Sequence, residues 1–146
     1  MWENVIANLI ANAATNSAFW LAAFLVGWCA WGWLMRRKSQ TMRAESEKLL
    51  KDANDAVHEL LNRAALRPVD QVERAFDKWE FDMAKKLERL RREGVCTAWK
   101  VDYFQVLNRF ALVEESKLKG MISEKANRLK DIARQLEEQA ARLWPL

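Results

Sequence analysis

Residues 18–35 read AFWLAAFLVGWCAWGWLM, a run whose only ionisable side chain is the Cys29 thiol. As a helix it rises roughly 27 Å at about 1.5 Å per residue, close to the roughly 30 Å hydrocarbon core of a bilayer. All 24 Lys and Arg residues lie beyond it, and Glu3 is the one charged side chain ahead of it. Arg36, Arg37, Lys38 and Arg43 follow almost at once, which marks the cytoplasmic flank of a span. The sequence therefore predicts a single-pass protein of a cell inner membrane, N-terminus outside and C-terminus cytoplasmic. A cleaved signal peptide carries its positive charge before the apolar core and a small-residue cleavage site after it. Neither is present, so a retained anchor is expected. Trp20, Trp28, Trp31 and Trp33 in one apolar run weigh against a buried core helix.

The basic cluster is expected to meet anionic lipid headgroups, at roughly 1 kcal/mol per residue near the surface. Setting Glu3 aside from the 20 acids leaves 24 cations against 19, an excess of +5 close in size to that cluster. Only four Gly and two Pro occur in 146 residues, amid abundant Ala, Leu, Glu, Lys and Arg, which predicts an all-α chain. Three parts follow: an amphipathic Asn-rich extracytoplasmic helix over 1–17, the transmembrane helix over 18–35, and a cytoplasmic helical domain over 36–146. The last is long enough for one modest core. Cys29 in the span and Cys96 in the cytoplasm cannot meet within one monomer.

Ahead of the span, Asn4, Asn8, Asn12 and Asn16 recur every four positions, drifting over roughly 120° of helix surface. If the helix runs unbroken into the span, Ala18, Ala22 and Gly27 continue that side, with Trp20, Leu21, Phe24, Trp28 and Trp31 opposite. Phe19, Val26 and Trp33 interrupt the small side. Small residues allow close approach of helices in lipid and amides hydrogen-bond between them, which points to self-association through this face. The alternative is an interfacial helix lying flat on the outer leaflet; against it, the polar face lacks the usual Lys or Arg.

After the anchor, Leu49, Ala53, Val57, Leu60 and Ala64 form one stripe of a first cytoplasmic helix ending near Leu66, before Pro68. A second helix over about 68–93 repeats Val69, Val72, Phe76, Trp79, Met83, Leu87 and Leu90, with Gly94 placed to cap it. The short connection predicts an antiparallel helical hairpin or bundle. Thr97 opens a third helix with the densest apolar cluster, Trp99 to Val113, expected to hold Phe76, Trp79 and Phe81 against the first helix. Finally Ile122, Ala126, Leu129, Ala133, Leu136, Ala140 and Leu143 alternate four and three, a C-terminal coiled-coil-like helix. Its partner is either the first cytoplasmic helix or the same helix of another subunit.

Candidate chemistry is sparse. His58 has Asp55 and Glu59 nearby but no Cys, Ser or second His spaced to complete a base or metal site. Helical ribonucleases of prokaryotic defence systems place an Arg several residues before their His, and no such Arg precedes His58. Phosphate loops and nucleophile elbows are absent. Glu73, Asp77, Glu80 and Asp82 interleave with Arg74, Lys78 and Lys85, which reads as a solvated ion-pair surface. Acids also break up the basic runs, against nucleic-acid binding. No enzyme activity, catalytic residue, metal or cofactor is expected.

Two functions remain. One is a homo-oligomeric membrane assembly, with the asparagines round a common axis and Phe19, Val26 and Trp33 as apolar constrictions of a pore governed by the cytoplasmic helices. The other is a membrane-tethered adaptor recruiting a cytoplasmic protein partner through the 122–143 seam. One span over a small helical domain resembles small bacterial membrane effectors associated with phage defence or prophages, a likeness of architecture that carries no residue across.

Overall fold

A computed structural model describes residues 2–62, 68–97, 104 and 114–144, and these are helical with no strand among them. Helix α1 runs Trp2–Ala56, α2 runs Val69–Arg92 and α3 runs Glu115–Leu143; a π-helical segment, Val57–Asn62, follows α1. Internal contacts divide the chain into two units, Met1–Arg37 and Lys38–Leu146.

In the first unit α1 has no proline, and it passes from the asparagine segment into the apolar run without a break. Among the described residues one helix is long and apolar enough to cross a membrane, and no part of its most apolar window is buried. A core helix of a soluble domain would bury that surface. Thr15 satisfies its hydroxyl locally by donating to the Ala11 carbonyl one turn back.

In the second unit the buried stripe of α1 is Ser39, Met42, Ser46, Leu49, Ala53 and Ala56, with Glu45 buried beside it, and Leu60 extends it into the π segment. The steps are three and four throughout, a heptad stripe with two serines in it. Facing residues on α3 are Leu118, Ile122, Ala126, Leu129, Ala133, Leu136 and Ala140. Ser39 Oγ donates to the Ala140 carbonyl at 2.8 Å and Ser46 Oγ to the Ala133 carbonyl at 2.7 Å. The donor moves seven residues up α1 as the acceptor moves seven down α3, so the two segments run in opposite directions. A serine reaches a neighbouring helix backbone only where the axes approach closely, and Ala133 and Ala140 provide that room.

Helix α2 covers the other side through two apolar clusters. Leu87 and Leu90 join Leu49, Leu129 and Leu136 in one; Val72 and Phe76 join Leu60, Leu118 and Ile122 in the other. Pro68 stands one position ahead of α2, its carbonyl accepting from the Gln71 and Val72 amides at 3.0 and 3.4 Å. At the far end Gly94 adopts φ +68°. The Val95 amide reaches the Leu90 carbonyl at 2.9 Å and Gly94 the Arg91 carbonyl at 3.0 Å, a Schellman ending with Val95 packed beside Leu90.

Three expectations change. Ala56, in step with the three-and-four spacing from Leu49 to Leu60, takes the place of Val57 on the buried stripe and Val57 is half-buried; Ala64 and Leu66 lie outside the described residues. The expected third helix also lies outside them, except Phe104, which is buried. Phe81 is not held in the core but is 61% exposed, because it sits on the opposite side of α2 from Phe76 and Leu87.

Candidate functional site

Asn4, Asn8, Asn12 and Asn16 are exposed on α1, as are Ala18, Ala22 and Gly27 farther along. A Cβ placed on Gly27 would meet nothing within 4 Å, so nothing in this chain exploits its lack of a side chain. The bulky side is equally open, with Trp20 and Trp28 each about 70% exposed. Phe24 and Trp28 stack one turn apart with ring centroids 5.9 Å apart. At the basic end the Arg37 guanidinium lies 5.4 Å from the Trp33 ring centroid. Such an aromatic–cation pairing suits a membrane–water boundary, where the ring sits at headgroup level.

Arg36, Arg37 and Lys38 are exposed, but Arg43 parts from them. It is half-buried, and its Nη2 donates to the Trp144 carbonyl at 3.1 Å, just past the end of α3. There a guanidinium meets the negative end of the helix dipole. Arg43 therefore serves packing within the second unit rather than the free headgroup cluster expected for it. The seam residues Ile122, Ala126, Leu129, Ala133, Leu136 and Ala140 are buried and Leu143 is half-buried, packed within their own chain.

The carboxylates of α2 are not all solvated. Glu80 is 1% exposed and pairs with Lys125 of α3 at 2.9 Å, and the ammonium also lies 5.0 Å from the Phe104 ring centroid. Trp79 stacks on Phe76 and meets Phe104 edge-on at 5.8 Å, so aromatics surround the pair. Glu80 falls one turn after Phe76 and seven residues before Leu87, a spacing that marked it as inward-facing once its charge is disregarded. Lys86 reaches across to α1 and pairs with Asp52 at 2.5 Å.

At the exposed end of α2, Arg91 grips both carboxyl oxygens of Glu88 at 2.7 and 2.5 Å, and Arg92 adds a contact at 3.1 Å. The Arg91 hydrogen bonds chiefly, with those of Arg92 and the two positive charges, hold the Glu88 carboxyl down at about 2. His58, Asp55 and Glu59 are all exposed, and no group of His, Cys, Asp and Glu placed to hold a metal occurs among the described residues. Cys29 is exposed and Cys96 buried, both as free thiols.

The chain matches no protein-family model, no curated protein and no solved structure. Its site must be read from its own residues: an uncovered apolar helix bearing a row of amides, a basic boundary, and a closed helical unit beyond.

Proposed function

We propose that the protein is a homo-oligomeric, single-span inner-membrane assembly, N-terminus outside, whose membrane helices associate through the side bearing Asn4, Asn8, Asn12, Asn16, Ala18, Ala22 and Gly27. The cytoplasmic part forms an antiparallel helical bundle with a coiled-coil seam and governs a pore or membrane-perturbing state. What carries this reading is the exposed amide row on the same unbroken helix as the apolar run. Amides at the edge of a bilayer find few partners in lipid and are satisfied best by one another across helices. A ring of them also makes a polar mouth for water or ions. The adaptor reading is less well supported, because the seam it needs is already filled by α1 of the same chain.

The test is ion flux from liposomes carrying the full chain. Asn8→Leu with Asn12→Leu is expected to abolish flux while native mass measurement in mild detergent returns an unchanged oligomer. Unchanged flux overturns the pore, and a monomeric mass for the unaltered chain overturns the assembly.

A further inference from the structure

A cavity of about 320 Å³ opens in the second unit where α2 and α3 both end. Its apolar wall includes Met42 of α1 and Leu143 of α3, its polar edge includes Thr97, and Lys38 and Arg142 bring positive charge from two helices. Neither cation is engaged in an ion pair among the described residues. Gly94 leaves one side open, since a Cβ there would meet nothing within 4 Å. At the helix ends the Arg43 guanidinium meets the Trp144 carbonyl just past α3, and the Schellman bonds occupy the Leu90 and Arg91 carbonyls of α2.

We infer that this cavity binds the phosphate headgroup of an anionic phospholipid. The inference rests on the membrane reading above: Lys38 follows Met35, the last residue of the expected span, by three positions, and three residues of any backbone reach no more than about 11 Å. The cavity edge therefore stays near the headgroup layer, which is roughly 5–8 Å deep on each face. Two cations without an ion pair among the described residues, with Met42, Val95 and Leu143 beside them and Thr97 and Gln139 as polar groups, match a phosphodiester that carries its own hydrocarbon. The volume lies at the lower end of the roughly 300–1,000 Å³ typical of small-ligand sites, the size of a headgroup rather than a nucleotide. Arg142 and Lys38 are the recognising residues because they line the cavity, as Arg36 and Arg37 do not.

The experiment counts lipids retained by the full chain in mild detergent, by native mass spectrometry, as phosphatidylglycerol or phosphatidylcholine is added. Phosphatidylglycerol is expected to be retained preferentially. Lys38→Gln with Arg142→Gln weakens it about thirtyfold, the product of about fivefold for each cation near the surface. Arg36→Gln with Arg37→Gln removes the same charge and is expected to weaken it less than about threefold, because neither residue lines the cavity. Equal losses in the two double variants, or equal retention of the two lipids, overturn the site. Displacement of the lipid by inorganic phosphate or glycerol phosphate overturns the lipid as its occupant. Carbonate extraction of the unaltered chain from membranes tests the anchor separately: a chain that stays in the membrane but shows no preference refutes the cavity alone.

Discussion

Truncating Lys125 to alanine tests the buried ion pair of the cytoplasmic unit. The substitution takes from the Glu80 carboxylate, 1% exposed, the ammonium that meets it at 2.9 Å. Removing one partner of a buried pair costs about 3–5 kcal/mol, because the survivor stays desolvated without its counter-charge. At about 1.4 kcal/mol per decade this is a rise of roughly two to three and a half orders of magnitude in the opening equilibrium. Hydrogen exchange read by mass spectrometry on the full chain in detergent reports it directly, as faster exchange of α2 and α3 peptides. Replacing both partners, Glu80→Leu with Lys125→Leu, leaves no stranded charge and is expected to restore protection to near or above the original level. Acceleration below about tenfold in Lys125→Ala, or a double variant exchanging as fast as the single, would refute the claim that the pair is desolvated and mutually dependent.

Two glycines are expected to respond with opposite sign. Gly94→Ala places a side chain at φ +68°, where left-handed backbone costs about 1–2 kcal/mol, and lowers Tm, whereas Gly120→Ala in the exposed interior of α3 gains about 1 kcal/mol and raises it; neither new Cβ meets an atom within 4 Å, so scanning calorimetry reads backbone effects alone. The Glu88 carboxyl, held down at about 2, is expected to titrate there by carbon NMR rather than in the usual carboxylate range. Because the folded state lowers the value, its small stabilising contribution is present above the ordinary carboxylate range and is lost as pH falls towards about 2; Arg91→Gln moves the midpoint upward.

The parts of this chain that were legible in its sequence are those where apolar periodicity alone sets the outcome. Residues 18–35 announce a span by length and lack of charge. The run from Ile122 to Ala140 announces its seam because every buried position except Lys125 is an Ala, Leu or Ile. The α1 stripe was half hidden, since Ser39 and Ser46 occupy seam positions while bonding to the backbone of α3, and a pattern search that scores only apolar residues passes over them. Glu80 and Lys125 were missed for the same reason: each looks solvated until a charge on the other helix is placed opposite it. The π segment carried no signal, and the stripe's three-residue step from Ala53 puts burial on Ala56 rather than Val57. Arg43 read as one of a basic cluster because charge counting ignores direction. Five residues after Lys38, it points at the end of α3.

On the proposed reading, the energy of self-association has to come from the membrane helix, since the stripes of the cytoplasmic unit are buried against one another within one chain. Lipid gives apolar side chains no reason to leave it, so Trp20 and Trp28, though exposed, supply little drive. The amides do, and depth ranks them. Counting about 1.5 Å per residue from Met35, Asn16 stands roughly 28 Å up the helix, at the outer edge of the hydrocarbon, and Asn12 roughly 34 Å up. Asn8 and Asn4, at roughly 40 and 46 Å, reach water, where amide pairing competes with solvent. Asn16 is then the adhesive position, worth about 0.6–2 kcal/mol for each interhelical bond, while Asn12 and Asn8 chiefly shape the mouth. Thr15 contributes nothing to this adhesion, its hydroxyl being satisfied by Ala11. Loss of flux with the oligomer intact therefore isolates the mouth from the adhesive, and Asn8 is the position where the two separate most cleanly.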